Sequence, residues 1–254
     1  MLQTRVIPVL LLQDKGLVKS TKFKEFTYIG DPINAVRIFN EKEVDEIILL
    51  DVNSSKEERE PNFDLIAEIG SEAFVPFGYG GGISKISHVK KIMYAGAEKV
   101  ILNSIFLKDP NFIKEVSEYI GSSSTVVSID VKKNIWGKYR GFSHINNKLL
   151  DVSPLELAKK AEQLGAGELF INSVDLDGMM TGYDIMLFQE ICKSVSIPVV
   201  ACGGAGKIAD LREALQKASV DAVAAGSMFV YHGKHRAVLI NYITKEDRFS
   251  LQNL

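Results

Sequence analysis

Tyr79-Gly80-Gly81-Gly82-Ile83 returns 123 residues later as Cys202-Gly203-Gly204-Ala205-Gly206. Each glycine cluster follows an apolar run containing a proline, Phe74 to Phe77 in one case and Ile197 to Ala201 in the other. Neighbouring features recur near the same offset. Ala97-Glu98-Lys99-Val100-Ile101-Leu102-Asn103-Ser104 matches Val220-Asp221-Ala222-Val223-Ala224-Ala225-Gly226-Ser227, and Val44 to Asp51 matches Ala166 to Ser173. Elements repeated in a fixed order at one offset mean that the chain is built from two similar halves. Eight mostly non-alternating apolar strands with helices between them read as a parallel sheet. An even count with half-to-half repetition selects a closed (β/α)8 TIM barrel over an open doubly wound sheet. The expectation is one α/β domain over 1–254, with half-barrels at about 1–122 and 123–254.

Composition sets the class. In 254 residues, 46% are hydrophobic and 24% charged, as in a globule with a sizeable core. A net charge of -2 points away from nucleic acid and membrane surfaces. Two cysteines and four scattered histidines form no spaced cluster, so no metal and no cofactor are expected. No apolar run reaches signal-peptide or transmembrane length, and a cytoplasmic location is expected.

In chain order, strands are expected at 6–12, 46–51, 74–79, 99–103, 125–131, 168–173, 198–202 and 222–225. Asp31-Pro32 opens the first helix, since proline suits the first helical position. Gln13 to Gly30, carrying Lys15, Lys19, Lys22 and Lys24, exceeds the usual βα connection and reads as a long loop, disordered or functional. Lys132 to Leu150 reads as an added hairpin turning at Asn146-Asn147, and a last helix is expected at about 236–243.

In a barrel of this kind the site lies where the strands end. Gly81 and Gly82 in one half, and Gly203 and Gly204 in the other, present backbone N–H groups at a helix start, which suits a phosphate. Asn103-Ser104 and Gly226-Ser227 end the adjacent strands and add side-chain donors. Two such sites on opposite sides of one mouth imply an elongated ligand with a phosphate at each end. Between them, Asp130, Asp51, Asp175 and Asp177 stand at strand ends, where a general acid or base belongs. Asp51 and Asp175 have an equal reading as caps of their own loops. Asp130 is the catalytic candidate. Its mirror position is Leu11, which has no proton to exchange. At the other end of the strands stand Arg5, Glu46, Lys99 and Glu168. The pleat can turn all four inward, where two cations and two anions must pair.

From Arg5 to Phe229 the chain resembles the cyclase subunit of imidazole glycerol phosphate synthase, the HisF-like family. The resemblance is carried by Gly30-Asp31-Pro32, Asp45-Glu46, Leu50-Asp51, Gly80-Gly81-Gly82-Ile83, Ile129-Asp130, Gly165-Ala166-Gly167-Glu168, Asp177-Gly178, Gly182-Tyr183-Asp184 and Gly203-Gly204-Ala205-Gly206-Lys207. It implies a ribulose-phosphate-binding barrel and a phosphorylated small molecule as ligand. The first phosphate would be held by Gly82, Asn103 and Ser104. The second would be held by Asp177, Gly178, Gly204, Gly226 and Ser227, with Lys19 and Asp51 in the same mouth. It implies Asp130 as one catalytic acid and Leu11 at the place of the other. The charges Arg5, Glu46, Lys99 and Glu168 match the family's ammonia gate, and Glu98 matches a residue of the face that docks a glutaminase as a heterodimer. Val9, Leu11 and Leu12 stand where family members carry cysteine, aspartate and valine. Leu176 and Met179 replace an arginine and a threonine, and Ser20 a glycine. The opening Val9-Leu10-Leu11-Leu12 with Gly16-Leu17-Val18-Lys19 looks more like cyclase-like paralogues of lipopolysaccharide O-antigen clusters. For those, the expected role is passing glutamine-derived ammonia to an N-acetyl sugar amidotransferase that turns acetamido into acetamidino groups. The alternatives are a genuine histidine-biosynthesis cyclase and a catalytically silent structural subunit.

Overall fold

The computed structural model describes residues 4–22 and 24–254. Strand β1 (Arg5–Gln13) leads into a hairpin of β2 (Gly16–Thr21) and β3 (Lys24–Gly30), then α1 (Pro32–Glu41). There follow β4 (Ile47–Asp51), α2 (Phe63–Glu72), β5 (Phe77–Gly80), α3 (Ile86–Tyr94), β6 (Lys99–Leu102), the short α4 (Ser104–Lys108) and α5 (Asn111–Ile120). The second half has β7 (Thr125–Lys133), a hairpin arm of β8 (Tyr139–Ser143) and β9 (Lys148–Leu149), α6 (Pro154–Gln163), β10 (Glu168–Ser173) and α7 (Ile185–Cys192). It continues with β11 (Val199–Cys202), α8 (Ile208–Glu213, running into a π turn over Ala214–Ala218), β12 (Ala222–Ala225) and the short α9 (Ser227–Val230). A small ribbon of β13 (Tyr231–His232) and β14 (Ala237–Val238) precedes the C-terminal α10 (Lys245–Gln252).

Strands β1, β4, β5, β6, β7, β10, β11 and β12 pair in parallel, and the β12–β1 and β10–β7 ladders close them into an eight-stranded barrel. The additions repeat with the halves. Hairpins follow β1 and β7, and a short helix follows β6 and β12. Helix starts are signalled locally. Asp31 accepts from Asn34 N at 2.9 Å ahead of Pro32, and Ser153 with Glu156 forms a capping box ahead of Pro154.

Two apolar layers result. One lies between strands and helices, with Leu10, Phe39, Leu49, Tyr79, Ile171 and Phe188 fully buried in it. The other fills the barrel itself with Ile7, Val9, Leu11, Ile48, Ile101, Val126, Phe170, Val200, Cys202, Ala222 and Ala224. These are alternate residues, because successive side chains in a strand point to opposite faces. Among the described residues no helix is long and apolar enough to cross a membrane.

Three expectations are corrected. Gln13 to Gly30 is an ordered hairpin rather than a loop, since β2 pairs back on β1 through Leu11↔Val18 and Leu12↔Leu17. Strand three starts at Phe77, leaving Phe74 87% exposed before it. The last helix is Lys245–Gln252. The apolar residues ahead of it pair instead as Tyr231↔Val238, and Thr244 caps the true helix.

The C-terminal segment clamps the barrel's floor. Tyr242 donates its hydroxyl to Val6 O at 2.7 Å and reaches Asp45 Oδ2 at 3.2 Å. Asp45 also accepts from Val6 N and pairs with Arg248. Tyr242→Phe leaves a strand carbonyl without this donor and should lower the unfolding free energy by about 1–3 kcal/mol, read from urea transitions with an unchanged m-value.

Candidate functional site

The two-residue pleat decides which polar side chains enter the barrel and at what height. From Arg5 the inward series on β1 is Ile7, Val9 and Leu11. From Glu168 on β10 it is Phe170 and Asn172, and on β7 it is Val126, Ser128 and Asp130. Charged residues therefore gather at the strand starts and uncharged amides with one acid at the strand ends. About four residues, roughly 13 Å of strand, separate the two levels.

At the lower level, Arg5 pairs with Glu46 and Glu168, and Lys99 Nζ lies 3.0 Å from Glu46 Oε2 and 2.8 Å from Glu168 Oε2. The four form a closed ring of alternating charge. Both carboxylates are nearly buried, while Arg5 and Lys99 keep some contact with solvent. Burial opposes the Arg5 charge, but hydrogen bonds and attraction from Glu168 and Glu46 outweigh it, so its pKa is raised. Glu46 Oε1 is buried with no hydrogen-bond partner, an acceptor inside the ring. A cavity of about 350 Å³ opens below the ring, and the exposed Glu98 lies on its wall.

At the upper level a cavity of about 200 Å³ is lined by Asp51, Gly81, Gly82, Asn103, Ser104, Asp130, His144 and Asn172, with Lys56 at its lip. Gly81 takes φ +120° and passes so close to β4 that a Cβ would sit 2.6 Å from Asp51 O. Gly82 N donates to Ser55 Oγ at 3.2 Å. Asn103 donates to Ser128 O and to Asp130 Oδ2, both at 3.0 Å, and Asn172 donates to Asp130 Oδ1 at 2.9 Å. Asp51 accepts from Asn53 N and Ser54 N, and Asp175 accepts from Lys133 N. Both cap loops, and only Asp51 also faces the cavity.

The other side of the mouth is covered. A residual space of about 20 Å³, room for one water, is bounded by Leu11, Lys19, Asp177, Cys202, Gly226 and Ser227. The β2–β3 hairpin lies over it, with Lys22 N donating to Asp177 O at 2.9 Å. Gly178 abuts Ser20 so closely that a Cβ would come within 2.3 Å of Ser20 O, and its own carbonyl accepts from Arg236. Gly203 and Gly204 form the turn behind and do not line the space, and Gly204 O accepts from Gly182 N at 2.8 Å. Thus the first glycine turn faces an open cavity and the second lies beneath the hairpin.

Lys19 is 4% exposed and donates to Val9 O at 2.7 Å. Burial pulls its pKa down to about 8, against the attraction of Asp177. Burial lifts Asp177 to about 6, with Lys19 restraining the rise. His144 and Asn172 were not picked out from the sequence. A histidine in the hairpin that follows the Asp130 strand, and an asparagine two residues after an inward Phe170, are the signals available. Among the described residues no cluster of metal-ligating side chains occurs.

An acid whose folded pKa is raised loses stability as pH climbs from its ordinary value to the raised one. Lys19→Met removes the cation that restrains Asp177. Unfolding free energy should then fall more steeply between pH 5 and 7 than in the unmodified chain, and Asp177→Asn in the same background should flatten that slope. Urea titrations at several pH values read both.

The model of the family described as "Histidine biosynthesis protein" matches residues 5–236. The chain is 53% identical to the "Putative imidazole glycerol phosphate synthase subunit hisF2" of Pseudomonas aeruginosa, covering 95% of this chain and 96% of that protein. It is 44% identical to the protein of the same description numbered hisF3 in Vibrio vulnificus, over 98% and 96% of the two chains. It is 40% identical to the imidazole glycerol phosphate synthase subunit HisF of Petrotoga mobilis, over 91% and 92%. The chain belongs to the histidine biosynthesis protein family, as a HisF-like member of the group that contains the cyclase subunits of imidazole glycerol phosphate synthase.

Proposed function

We propose that this chain is a cyclase-type synthase subunit that receives ammonia from a docked glutaminase and uses it at the mouth of the barrel. The observation that carries the reading is the stacking, within one closed barrel, of a charge ring below an Asp130-centred cavity. A hydrophobic plug of similar volume would seal the floor as stably, so a ring of four charges suggests a role other than stability. A hydrogen-bonding constriction with a buried acceptor at Glu46 Oε1 suits the passage of a small neutral donor. The face around the ring, with Glu98 at its edge, is the docking surface for the glutaminase. One domain of two half-barrels, about 1–122 and 123–254, carries both levels.

The relatives' names favour imidazole glycerol phosphate synthesis. A bisphosphorylated ribulosyl aminoimidazole carboxamide would react with ammonia to give imidazole glycerol phosphate and the released aminoimidazole carboxamide ribotide. The first phosphate would sit against Gly81, Gly82 and Ser104 in the open cavity, and the second against Gly204, Gly226 and Ser227 once the β2–β3 hairpin lifts. A second reading, ammonia supply to an N-acetyl sugar amidotransferase in lipopolysaccharide biosynthesis, draws on one observation. Leu11, the counterpart of Asp130 in the other half, belongs to the apolar filling of the barrel and bounds the covered side of the mouth.

Incubating the chain with ammonium and the bisphosphorylated carboxamide separates the two. Formation of imidazole glycerol phosphate at rates on the order of 1 s⁻¹ supports the first reading. No product here, with transfer of amide-¹⁵N from glutamine to an acetamidino sugar when glutaminase and amidotransferase are added, supports the second. Failure of both discards ammonia use. For the ring, Lys99→Ala should leave the fold and the partner's glutamine hydrolysis intact while lowering the share of glutamine nitrogen captured against competing unlabelled ammonium. Glu168→Ala leaves Arg5 and Lys99 to share Glu46 as their one remaining carboxylate and should in addition cost about 3 kcal/mol of stability. Unchanged capture in both variants would remove the ring from the route.

A further inference from the structure

The mouth keeps Asp130 and puts Leu11 where a second acid would stand, yet it contains a second titratable group. His144 follows β8, and its Nε2 lies 3.5 Å from Asp130 Oδ2 on the wall of the same cavity. The carboxylate is fixed before the imidazole meets it. Asn103 holds Oδ2 and Asn172 holds Oδ1, so Asp130 cannot swing away. The imidazole is fixed too, by an edge-on contact with Phe142 at 4.9 Å between ring centres. Burial disfavours the imidazolium, but Asp130 more than offsets this and the His144 pKa is raised. Lys132 pushes against that rise and Asp177 adds to it.

Asn172 supplies an independent observation. Its N–H is committed to Asp130, its carbonyl Oδ1 is buried with no partner, and the residue is 3% exposed while lining the space on both sides of the mouth. A buried acceptor beside an acid–base pair fits a ligand that brings an N–H donor, and ammonia or an amine is the class that does so.

We infer that Asp130 and His144 work as one proton-transfer dyad on the addition of ammonia or a primary amine to a carbonyl carbon, His144 carrying the protons that Leu11 cannot. This rests on the ammonia-using reading above. The nitrogen lone pair forms the C–N bond as the C=O π pair moves to oxygen. His144 takes a proton from the nitrogen, Asp130 balances the imidazolium, and the proton passes to oxygen to give a carbinolamine. A second proton follows the same route to the hydroxyl as the C–O bond breaks, leaving C=N and water. Asn172 Oδ1 accepts an N–H of the incoming nitrogen and orients its lone pair. Ammonia and carbonyl become imine and water, with no redox partner required.

The test uses the full chain with saturating ammonium chloride and the bisphosphorylated carboxamide, together with the imidazole NMR titration of His144. His144→Gln should lower kcat by about 10² to 10⁴ and abolish the limb of the pH–rate profile that follows the His144 titration, with KM changed less. Asp130→Asn should do the same and lower the His144 pKa, and the double variant should be no worse than either single, as for groups acting as a unit. Leu11→Asp in the His144→Gln background should recover part of the rate. A kcat within threefold of the unmodified chain in His144→Gln, or a His144 titration indifferent to Asp130→Asn, overturns the dyad. An inactive unmodified chain whose His144 titration still follows Asp130 overturns the ammonia chemistry instead, so the two failures are told apart.

Discussion

A parallel strand shows alternate residues to each face, and eight such strands closed on themselves have one common inside. That constraint sorts the polar residues of this chain more strictly than any local preference. Arg5, Glu46, Lys99 and Glu168 begin inward series and meet in one ring, and Asn103, Asp130 and Asn172 end inward series and meet in one network. Between them the inward positions are mostly apolar, with Phe170, Ile101 and Val126 among them and Ser128 a polar exception. A one-residue slip of any strand would turn its charge out among the helices and bring a residue of the outer core into the barrel. Register is therefore enforced by both ends of the strand at once.

The two ends of the barrel solve different electrostatic problems. In the ring every charge has two opposite neighbours, so attraction offsets the desolvation of nearly buried carboxylates. In the mouth Asp130 has amides on both oxygens and a histidine beside it, which holds a charged or hydrogen-bonded carboxylate in one orientation without a salt bridge to arginine or lysine. Lys19 and Asp177 are different again. They are buried close enough to feel one another, and burial dominates both, moving an amine down and an acid up towards neutrality. Electrostatic tension of that kind is concentrated where the hairpin covers the second glycine turn.

The approximate symmetry of the halves makes their departures informative. Both have a hairpin after their first strand and a short helix after their fourth. The hairpin after β1 folds across the mouth and brings Lys19 inside, while the one after β7 carries His144 to Asp130. Matching positions thus deliver a cation to one side of the mouth and an imidazole to the other. Leu11, on the first strand, belongs to the apolar filling of the barrel, whereas its counterpart Asp130 is the centre of a polar network.

The sequence by itself determined the eight-strand pattern, the half-to-half offset, the span of β10 and β12 to the residue, and the helix start at Asp31-Pro32. Those depend on short-range signals: apolar runs, glycine clusters, caps and proline. It also singled out the four ring residues and Asp130, because strand starts and ends are legible once the strands are. What only the tertiary structure decided depends on pairing between distant or folded-back segments. Lys19 reads as one of four lysines on a long loop, placed in the mouth by the family resemblance alone, until β2 pairs with β1 and turns it beneath the hairpin. Residues 236–243 read as helical until Val238 pairs with Tyr231 and Tyr242 packs under Val6. His144 reads as a hairpin residue until the Val131↔Gly141 register folds the β8 strand back along β7 and sets the imidazole against Asp130. Apolar periodicity says which face a residue shows to its own strand or helix, and carries no information on what a returning segment will place against it.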